Sequence, residues 1–358
     1  MDGMMKVLIA MSGGVDSSVA AKLLCDEGCE CIGCTMKLYD NCDAGLPRGR
    51  TCCSLDDVED ARSVAFSLGM RYYVFNFKDD FREKVIKKFA SGYLRGQTPN
   101  PCIDCNRYMK FDKLLERAKL LGCDKLATGH YARIEFDGEK YRLKKALDKS
   151  KDQSYVLYML TQEQLAHTLF PLGSLHKTDT RAIADAADLS SAHKPDSQDI
   201  CFVPDGDYAA AIERLTGEKA PCGDFIDASG KILGTHRGIT HYTVGQHRSL
   251  GLSLPERRYV CSIDAENSTV TLGGSDELYS STAEVHGFNW ISGETPAEPI
   301  RCTAKIRYRQ PEQPATAIAH KGGSITIQFD SPQRAVTPGQ AAVLYDGDTV
   351  LGGGEIVR

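Results

Sequence analysis

The chain has 358 residues, of which 42% are hydrophobic and 25% are charged, and this is typical of a globular protein of two or three domains. No stretch approaches the roughly 20 consecutive apolar residues of a membrane span, and the start lacks a signal-peptide pattern, so we expect a cytoplasmic protein with no membrane partner. The fourteen cysteines favour thiol, metal or sulfur chemistry over a secreted disulfide scaffold, and the net charge of −5 requires any nucleic-acid binding to rest on local basic patches.

The first strong pattern is an apolar run that ends at two glycines. Val7–Ala10 is typical of a buried parallel strand, and a helical stripe of apolar residues follows the glycines and stops at Gly28. Gly13 and Gly14 would let backbone N–H groups approach a phosphate, and the helix N-terminus adds unpaired donors and partial positive charge. Hydroxyl donors are available from Ser12, Ser17 and Ser18. Neither the Walker pattern nor G-x-G-x-x-G is present.

The hexapeptide Ser-Gly-Gly-Val-Asp-Ser at 12–17 resembles the pyrophosphate-binding loop of the PP-loop ATPases. The resemblance implies that ATP is split between its α and β phosphates and that an oxygen of the substrate is adenylated. A glycine turn between a strand and a helix, capped by serine, is the alternative. The hexapeptide indicates the chemistry but not the substrate.

The next segments alternate between strand-like and helical patterns. The sequence predicts strands at 31–36 and 72–75 and helices at 54–69, 81–89 and 111–121. Met36 lies near the C-terminal end of its strand, where it would present an apolar edge to adenine or pack in the core. A polar excursion occupies 40–53. The alternation predicts a doubly wound α/β domain with a parallel sheet.

Two cysteines with the spacing C-x-x-C lie in the segment 96–107. Pro99 and Pro101 disfavour a helix there, so we expect a loop. On a loop beside the ligand crevice, Cys102 and Cys105 can ligate a metal, form a redox pair or lower each other's pKa for nucleophilic attack. Two merely structural thiols are the alternative.

A short apolar run ends at Gly129, and His130 follows it. Gly129 would let the backbone pass close to a ribose or base, with His130 pointing toward the ligand, although a histidine in this position is often structural. A hairpin is predicted at 134–143, around Asp137 and Gly138. Four lysines at 144–151 then form either a solvated face or a phosphate contact.

Beyond residue 205 the pattern changes to short segments separated by glycine turns. The short apolar run 200–203, which contains Cys201, predicts a strand just before this change. We expect the first domain to span 1–205, a small, mainly β central domain 206–280, and an all-β, barrel-like domain 281–358. The central domain should contain a helix at 209–215 and a basic, aromatic segment at 236–248.

Residues 301–309 alternate strictly, with Arg, Thr, Lys, Arg and Arg at the odd positions and Cys, Ala, Ile and Tyr at the even positions. Such a strand would hold four cations on one face, as a surface that follows phosphates requires. Half-buried strands with Lys and Arg outside are also common, so the pattern alone leaves both interpretations open.

Five ordered motifs resemble those of the tRNA-specific 2-thiouridylases of the MnmA type. They are Ser-Gly-Gly-Val-Asp-Ser-Ser at 12–18, Thr-Pro-Asn-Pro-x-x-x-Cys-Asn at 98–106, Gly-His-Tyr-Ala-Arg at 129–133, Lys-Asp-Gln-Ser at 151–154 and Asp-Ser-Gln-Asp-Ile-Cys-Phe at 196–202. The resemblance covers nearly the whole chain. It implies ATP-dependent replacement of the C2 oxygen of the wobble uridine by sulfur in tRNAs for Lys, Glu and Gln, with Mg²⁺ as cofactor. The implied partners are tRNA and a persulfide donor, which is a cysteine desulfurase or a relay protein.

The resemblance also assigns roles residue by residue. It implies that Cys105 is the catalytic nucleophile, that Cys201 bears the persulfide, and that the two can close a disulfide. The implied ATP contacts are Ala10, Met11, Ser12, Gly13, Gly14, Val15, Asp16, Ser17, Met36 and Gly129. The implied contacts to the target base are Asn100, Pro101 and Cys102. The implied further tRNA contacts are His130, Lys151, Asp152, Gln153, Arg307, Tyr308 and Gln340.

One position departs from the family. Many members carry aspartate, a proposed proton-transferring group, where this chain has Cys102. If the thiolates of Cys102, Cys105 and Cys201 converge, they could hold an iron–sulfur cluster with one iron open to sulfide. The competing hypothesis keeps Cys105 and Cys201 as the persulfide and disulfide pair, with Cys102 as a spectator or weak acid.

Two other functions fit parts of the sequence. A PP-loop amidotransferase or synthetase, such as a GMP or argininosuccinate synthetase, would need an ammonia source or amino-acid site and no paired cysteines. A non-catalytic, metal-binding RNA-binding module would use the thiols structurally. The motifs around Cys105 and Cys201 favour the sulfur-transfer interpretation over both.

Overall fold

The protein is represented by a computed structural model, which describes residues 4–39, 55–194 and 200–358. The strands up to residue 169 are β1 Lys6–Ala10, β2 Glu30–Lys37, β3 Arg71–Asn76, β4 Lys125–Thr128, β5 Ala132–Phe136, β6 Tyr141–Lys145 and β7 Thr168–Leu169. The helices up to residue 186 are α1 Val15–Asp26, α2 Leu55–Ser67, α3 Lys78–Phe81, α4 Lys87–Leu94, α5 Pro101–Asp104, α6 Leu115–Leu120, α7 Gln162–Ala166 and α8 Lys177–Ala186. π-Helical segments at Arg82–Ile86 and Cys105–Leu114 join α3 to α4 and α5 to α6, and a 3-10 turn spans Ser154–Leu157. Within the described ranges, no helix combines the length and apolar character needed to cross a membrane.

The first sheet is entirely parallel, in the order β3-β2-β1-β4-β7. The strand order reverses at β1, whose last residue Ala10 pairs with Thr128 of β4. Helices cover both faces of the sheet, because Leu8 enters one hydrophobic core while Val7 and Ile9 enter another. The predicted doubly wound α/β domain is thus confirmed, and its ligand crevice lies at the carboxyl ends of β1 and β4.

The loop predicted over 96–107 is only partly correct, because the chain is helical from Pro101 onward. Proline is tolerated in the first turn of a helix, where its missing N–H would have no intrahelical partner. Asn100 caps this helix, and its side-chain oxygen accepts a hydrogen bond from the Cys102 backbone nitrogen at 3.1 Å. Cys102 and Cys105 therefore lie on a helix rather than on a loop.

The apolar run after Ile200 forms turns rather than the predicted strand. Phe202 and Val203 are nevertheless buried, and Phe202 packs edge-on against Phe81 and Phe89 with ring centroids 5.7 Å and 5.4 Å away. Packing of aromatic rings, and not a strand ladder, thus fixes the backbone beside Cys201.

A small second sheet lies in the central part of the chain. Its elements are α9 Tyr208–Thr216, β8 Gly223–Ile226, β9 Ile232–His236, β10 Tyr259–Asp264 and β11 Thr269–Gly273. The strand order is β10-β11-β8-β9, around a core that contains Phe225, Val260 and Val270. The helix predicted at 209–215 and the mainly β character of this part of the chain are confirmed.

The C-terminal strands close into a barrel. They are β12 Tyr279–Trp290, β13 Ile300–Lys305, β14 Gln313–Ala319, β15 Ile325–Arg334, β16 Ala341–Asp346 and β17 Thr349–Ile356. Their order is β12-β15-β14-β13-β16-β17, and pairing of β12 with β17 closes the ring. The predicted barrel-like fold is confirmed. The hairpin β5–β6 extends this sheet through pairing of Lys144 with Thr349, so the first and last parts of the chain share a sheet.

Candidate active site

The turn between β1 and α1 has the shape that its glycines predict. Gly13 has a φ of +75°, and Gly14 is the extended N-cap residue of α1. A side chain at Gly13 would collide with the backbone of Asp57 in α2, whereas the nearest described atom to a Cβ at Gly14 would be the Ser12 hydroxyl oxygen, at 3.5 Å. Gly13 is therefore required by packing, and the described residues leave room beside Gly14 at the helix N-terminus, where an anion is stabilised.

The serine hydroxyls serve the loop itself. Ser17 Oγ and Ser18 Oγ donate to the Gly14 carbonyl at 3.1 Å and 3.0 Å, and the Ser12 backbone nitrogen donates to Ser17 Oγ at 3.1 Å. The sequence predicted these hydroxyls as donors to a ligand. In the structure they hold the turn in place and leave the backbone N–H groups of the first turn to meet an anion.

Asp16 is the acidic side chain of the loop. One of its oxygens, Oδ1, accepts hydrogen bonds from Lys177 Nζ at 2.6 Å and from the Tyr131 hydroxyl at 2.9 Å. Tyr131 also bonds Thr180 Oγ1 at 3.0 Å, which links β4 and α8 to α1. Sequence analysis missed Lys177 because it lies 161 positions from Asp16, and no local motif marks it.

The end of β4 lies directly against the loop. A Cβ on Gly129 would come within 2.8 Å of the Ser17 nitrogen, so this glycine allows close packing of two backbones. His130 is buried, with Nδ1 2.7 Å from Thr128 Oγ1 and its ring near Phe111. Burial, and secondarily the Lys110 ammonium, hold the pKa of His130 well below its ordinary value. The imidazole thus lies in the interior, and its contact with tRNA stays a prediction.

The other predicted ATP residues differ in where their side chains lie. Met11 and Val15 are buried in the core on one side of the sheet, so only their backbone can meet a ligand. Met36 is half-buried and packs against the opposite core, as does Ala10. Among these residues, Met36 is therefore the one whose side chain remains available to an adenine ring.

The three cysteines of interest differ in exposure. Cys102 is exposed near the start of α5, while Cys105 and Cys201 are half-buried against the same hydrophobic core. The Cys201 carbonyl accepts a hydrogen bond from the Tyr39 hydroxyl at 2.8 Å, which ties this segment to the end of β2. The fold thus joins the turn of Cys201 to the carboxyl edge of the parallel sheet.

Cys105 and Cys201 are not joined by a disulfide in the structure, and the implied bond is therefore not supported. Among the described residues, no group of three or more His, Cys, Asp or Glu side chains has an arrangement that could hold a metal ion. Cys102, Cys105 and Cys201 all belong to the described part of the chain. The iron–sulfur cluster considered from the sequence stays a prediction.

The predicted tRNA contacts at 151–153 include two residues with internal partners. Asp152 accepts hydrogen bonds from the Ala146 nitrogen at 3.0 Å and from Ser154 Oγ at 2.8 Å. Gln153 Oε1 accepts from the Tyr131 nitrogen at 3.0 Å. The hydrogen bonds of Asp152 and Gln153 therefore hold the backbone of this loop in place.

The side chains alternate between buried and more exposed positions from Arg301 to Ile306, as predicted. The alternation does not continue to residue 309, because β13 ends at Lys305. Arg301 is bound through both guanidinium nitrogens by Asp330, and Arg307 is turned inward. Arg307 Nη2 lies 3.0 Å from the Val244 carbonyl and 2.6 Å from Thr337 Oγ1. The continuous cationic face expected from the sequence is therefore absent from this strand.

Tyr308 and Gln340 lie at contacts between the barrel and the first domain. The Tyr308 hydroxyl is 3.5 Å from the Asp152 carbonyl, and Gln340 Nε2 donates to the Thr98 carbonyl at 2.5 Å. Both contacts hold the barrel beside the segments that were assigned to tRNA and to the target base.

Family models match three consecutive parts of the chain. A tRNA methyl transferase HUP domain matches residues 5–205, a tRNA methyl transferase PRC-barrel domain matches 211–274, and an aminomethyltransferase β-barrel domain matches 280–356. These matches agree with the three-part architecture of the structure.

Curated relatives match almost the full length. The chain is 52% identical over 355 residues to the tRNA-specific 2-thiouridylase MnmA of Acetivibrio thermocellus. This match covers 98% of this chain and 99% of the relative. It is 51% identical over 356 residues to the tRNA-specific 2-thiouridylase MnmA 2 of Caldanaerobacter subterraneus subsp. tengcongensis, with 99% and 98% covered. Among solved structures, the NMN synthetase of Francisella tularensis matches with a TM-score of 0.35 and 16% identity, over 61% of this chain and 79% of that one.

Proposed function

This chain belongs to the tRNA-specific 2-thiouridylase family, and on that premise we propose that it replaces the C2 oxygen of the wobble uridine by sulfur in tRNAs for Lys, Glu and Gln. The observation that carries the proposal is the loop Ser12–Ser17. It combines a left-handed Gly13, an unobstructed Gly14 and the N-terminus of α1 at the carboxyl edge of a parallel sheet. This arrangement suits the phosphates of ATP.

ATP would activate the uridine oxygen. Attack of uridine O2 on the α-phosphate releases pyrophosphate and leaves AMP attached to that oxygen, which converts it into a good leaving group. The backbone N–H groups after Gly14 would bind the phosphates, and Met36 would present an apolar edge to adenine. Asp16 provides a carboxylate of the kind that Mg²⁺ accepts, and the metal would neutralise phosphate charge there.

Sulfur would arrive on Cys201. The terminal sulfur of its persulfide attacks C2, AMP departs with the original oxygen, and uridine is then joined to Cys201 through two sulfurs. The Cys105 thiolate attacks the Cys201 sulfur, which releases 2-thiouridine and forms a disulfide between Cys105 and Cys201. A dithiol reductant restores both thiols, and a cysteine desulfurase or relay protein supplies the next sulfur. Both residues pack against the same hydrophobic core.

Cys102 would lie beside the target base, together with Asn100 and Pro101. Its exposure at the start of α5 suits contact with an extruded base, and its thiol is a weak acid in place of aspartate. We assign no step to an iron–sulfur cluster.

Nucleoside analysis tests the proposal. The purified protein is incubated with unmodified tRNA, ATP and a persulfide donor, and the digested tRNA is examined by mass spectrometry. We expect 2-thiouridine only when ATP and donor are both present, and none with Cys201→Ser. Formation of 2-thiouridine without ATP, or by Cys201→Ser at the wild-type rate, would overturn the proposed mechanism.

A further inference from the structure

Lys177 is a buried lysine whose ammonium reaches the nucleotide loop. It is the first residue of α8 and is 9% exposed, yet its Nζ lies 2.6 Å from Asp16 Oδ1. Its ammonium also lies 5.7 Å from the centre of the Tyr131 ring. A buried ammonium is costly unless it is paired, so this position is defined by strong contacts rather than by chance.

The partner of Lys177 is located where phosphates would bind. Asp16 is the second residue of α1, two positions after Gly14, so its carboxylate borders the first turn. Phosphates held by the N–H groups of that turn would bring several negative charges next to Asp16. Unless a cation lies between them, those charges repel the carboxylate. Lys177 supplies a cation beside Asp16, and its ammonium is already oriented by Asp16 and the Tyr131 ring.

Resting on the ATP site proposed above, we propose that Lys177 is a phosphate-binding residue, whose ammonium bonds the pyrophosphate portion of ATP. The flexible four-carbon stem of lysine lets Nζ move from the Asp16 carboxylate to a phosphate oxygen while the α8 backbone stays fixed. The backbone nitrogen of Lys177 anchors the start of α8 by donating to Asp148 Oδ2 at 3.0 Å. Lys177 would then stabilise the negative charge that develops on the departing pyrophosphate.

A purely structural ion pair is the competing explanation, and a double-mutant cycle separates the two. Binding of inorganic pyrophosphate without metal is measured by calorimetry for the wild type, Lys177→Met, Asp16→Asn and the double variant. We expect the lysine substitution to weaken binding at least about tenfold, in both the wild-type and the Asp16→Asn backgrounds, as loss of a charge-assisted hydrogen bond does. Asp16→Asn alone should bind pyrophosphate at least as tightly as the wild type, because it removes a negative charge.

Two additions keep the test interpretable. Lys22 pairs with Asp26 near the other end of α1, so Lys22→Met is a matched control that should bind pyrophosphate as the wild type does. Thermal unfolding identifies any variant that does not fold, and the double variant leaves neither charge uncompensated if Lys177→Met alone fails.

Equal pyrophosphate affinities of Asp16→Asn and the double variant would overturn the role of Lys177 while leaving the ATP site intact. A wild-type protein that binds neither pyrophosphate nor ATP would overturn the proposed function and this inference together.

Discussion

Gly129 and Ser17 are in direct backbone contact, since a Cβ on Gly129 would lie 2.8 Å from the Ser17 nitrogen. The end of β4 thereby fixes the first turn of α1. We predict that Gly129→Ala displaces this turn, lowers the affinity for ATP at least about tenfold and lowers the free energy of unfolding by about 1–3 kcal/mol. Calorimetric titration and chemical denaturation measure the two effects.

Gly274 offers a matched control, because the nearest atom to an added Cβ there is Glu277 Oε1 at 3.7 Å. Gly274→Ala should leave both quantities close to the wild-type values. Wild-type ATP affinity in Gly129→Ala would contradict the contact as a determinant of the loop.

The two glycines of the loop should respond differently to substitution. Gly13→Ala should lower both stability and ATP affinity, because φ is positive and the Asp57 backbone leaves no room. Gly14→Val should unfold near the wild-type temperature yet lose ATP binding, because its side chain would fill space meant for a phosphate. Equal losses of stability in the two variants would argue against a ligand-filled space at Gly14.

The parts of the fold that the sequence predicts are those that depend on residues close together in the chain. The alternation of strand and helix, the glycine turn at 13–14 and the barrel strands all depend on short spacings, and all are present. The sequence does not predict the helix from Pro101, because proline disrupts the interior of a helix yet is tolerated in its first turn. The attachment of the β5–β6 hairpin to β17 could not be predicted, because pairing of Lys144 with Thr349 depends on how distant parts of the chain pack.

Site residues were predicted less well where burial decides their role. The alternation at 301–309 matches burial at Cys302, Ala304 and Ile306 but not at Tyr308, which is exposed. It also could not reveal that Arg307 turns inward toward Val244 and Thr337. Lys177 carried no motif at all, although it contacts the same carboxylate oxygen as Tyr131 does. The contacts of Asp16 with these two residues depend on tertiary packing, which patterns in a single sequence do not predict.

Buried His130 should make stability depend on pH. In the unfolded chain a histidine takes up a proton below about pH 6.5, whereas burial depresses the pKa of His130 in the fold. The unfolded state therefore binds more protons, and the free energy of unfolding falls as pH drops below 6.5, by up to about 1.4 kcal/mol per pH unit from this group. Denaturation between pH 5 and 8 should show a shallower slope for His130→Gln.

Exposed His193 is the control for that slope, because its side chain is 94% exposed. Burial also lowers the pKa of His236, so a residual slope is expected in every variant. An unchanged slope in His130→Gln, or an equal change in His193→Gln, would contradict the assignment.

Arg307 and Lys151 should separate stability from RNA binding. Arg307→Ala removes a buried guanidinium that bridges Val244 and Thr337, so the free energy of unfolding should fall by about 1–3 kcal/mol. Lys151→Ala should leave stability unchanged, weaken tRNA binding and reduce by about 1 the slope of log affinity against log salt. Filter binding at several salt concentrations measures RNA affinity, and thermal unfolding measures stability. If both variants changed only RNA affinity, a structural role of Arg307 would be refuted.

If ATP activates the uridine oxygen, that oxygen must leave on AMP, and its fate can be followed by isotope labelling. A tRNA carrying oxygen-18 at O2 of the wobble uridine is incubated with the protein, ATP and a persulfide donor, and the released AMP is examined by mass spectrometry. We expect one oxygen-18 atom in the phosphate of AMP for each 2-thiouridine formed. Formation of 2-thiouridine with unlabelled AMP would contradict it.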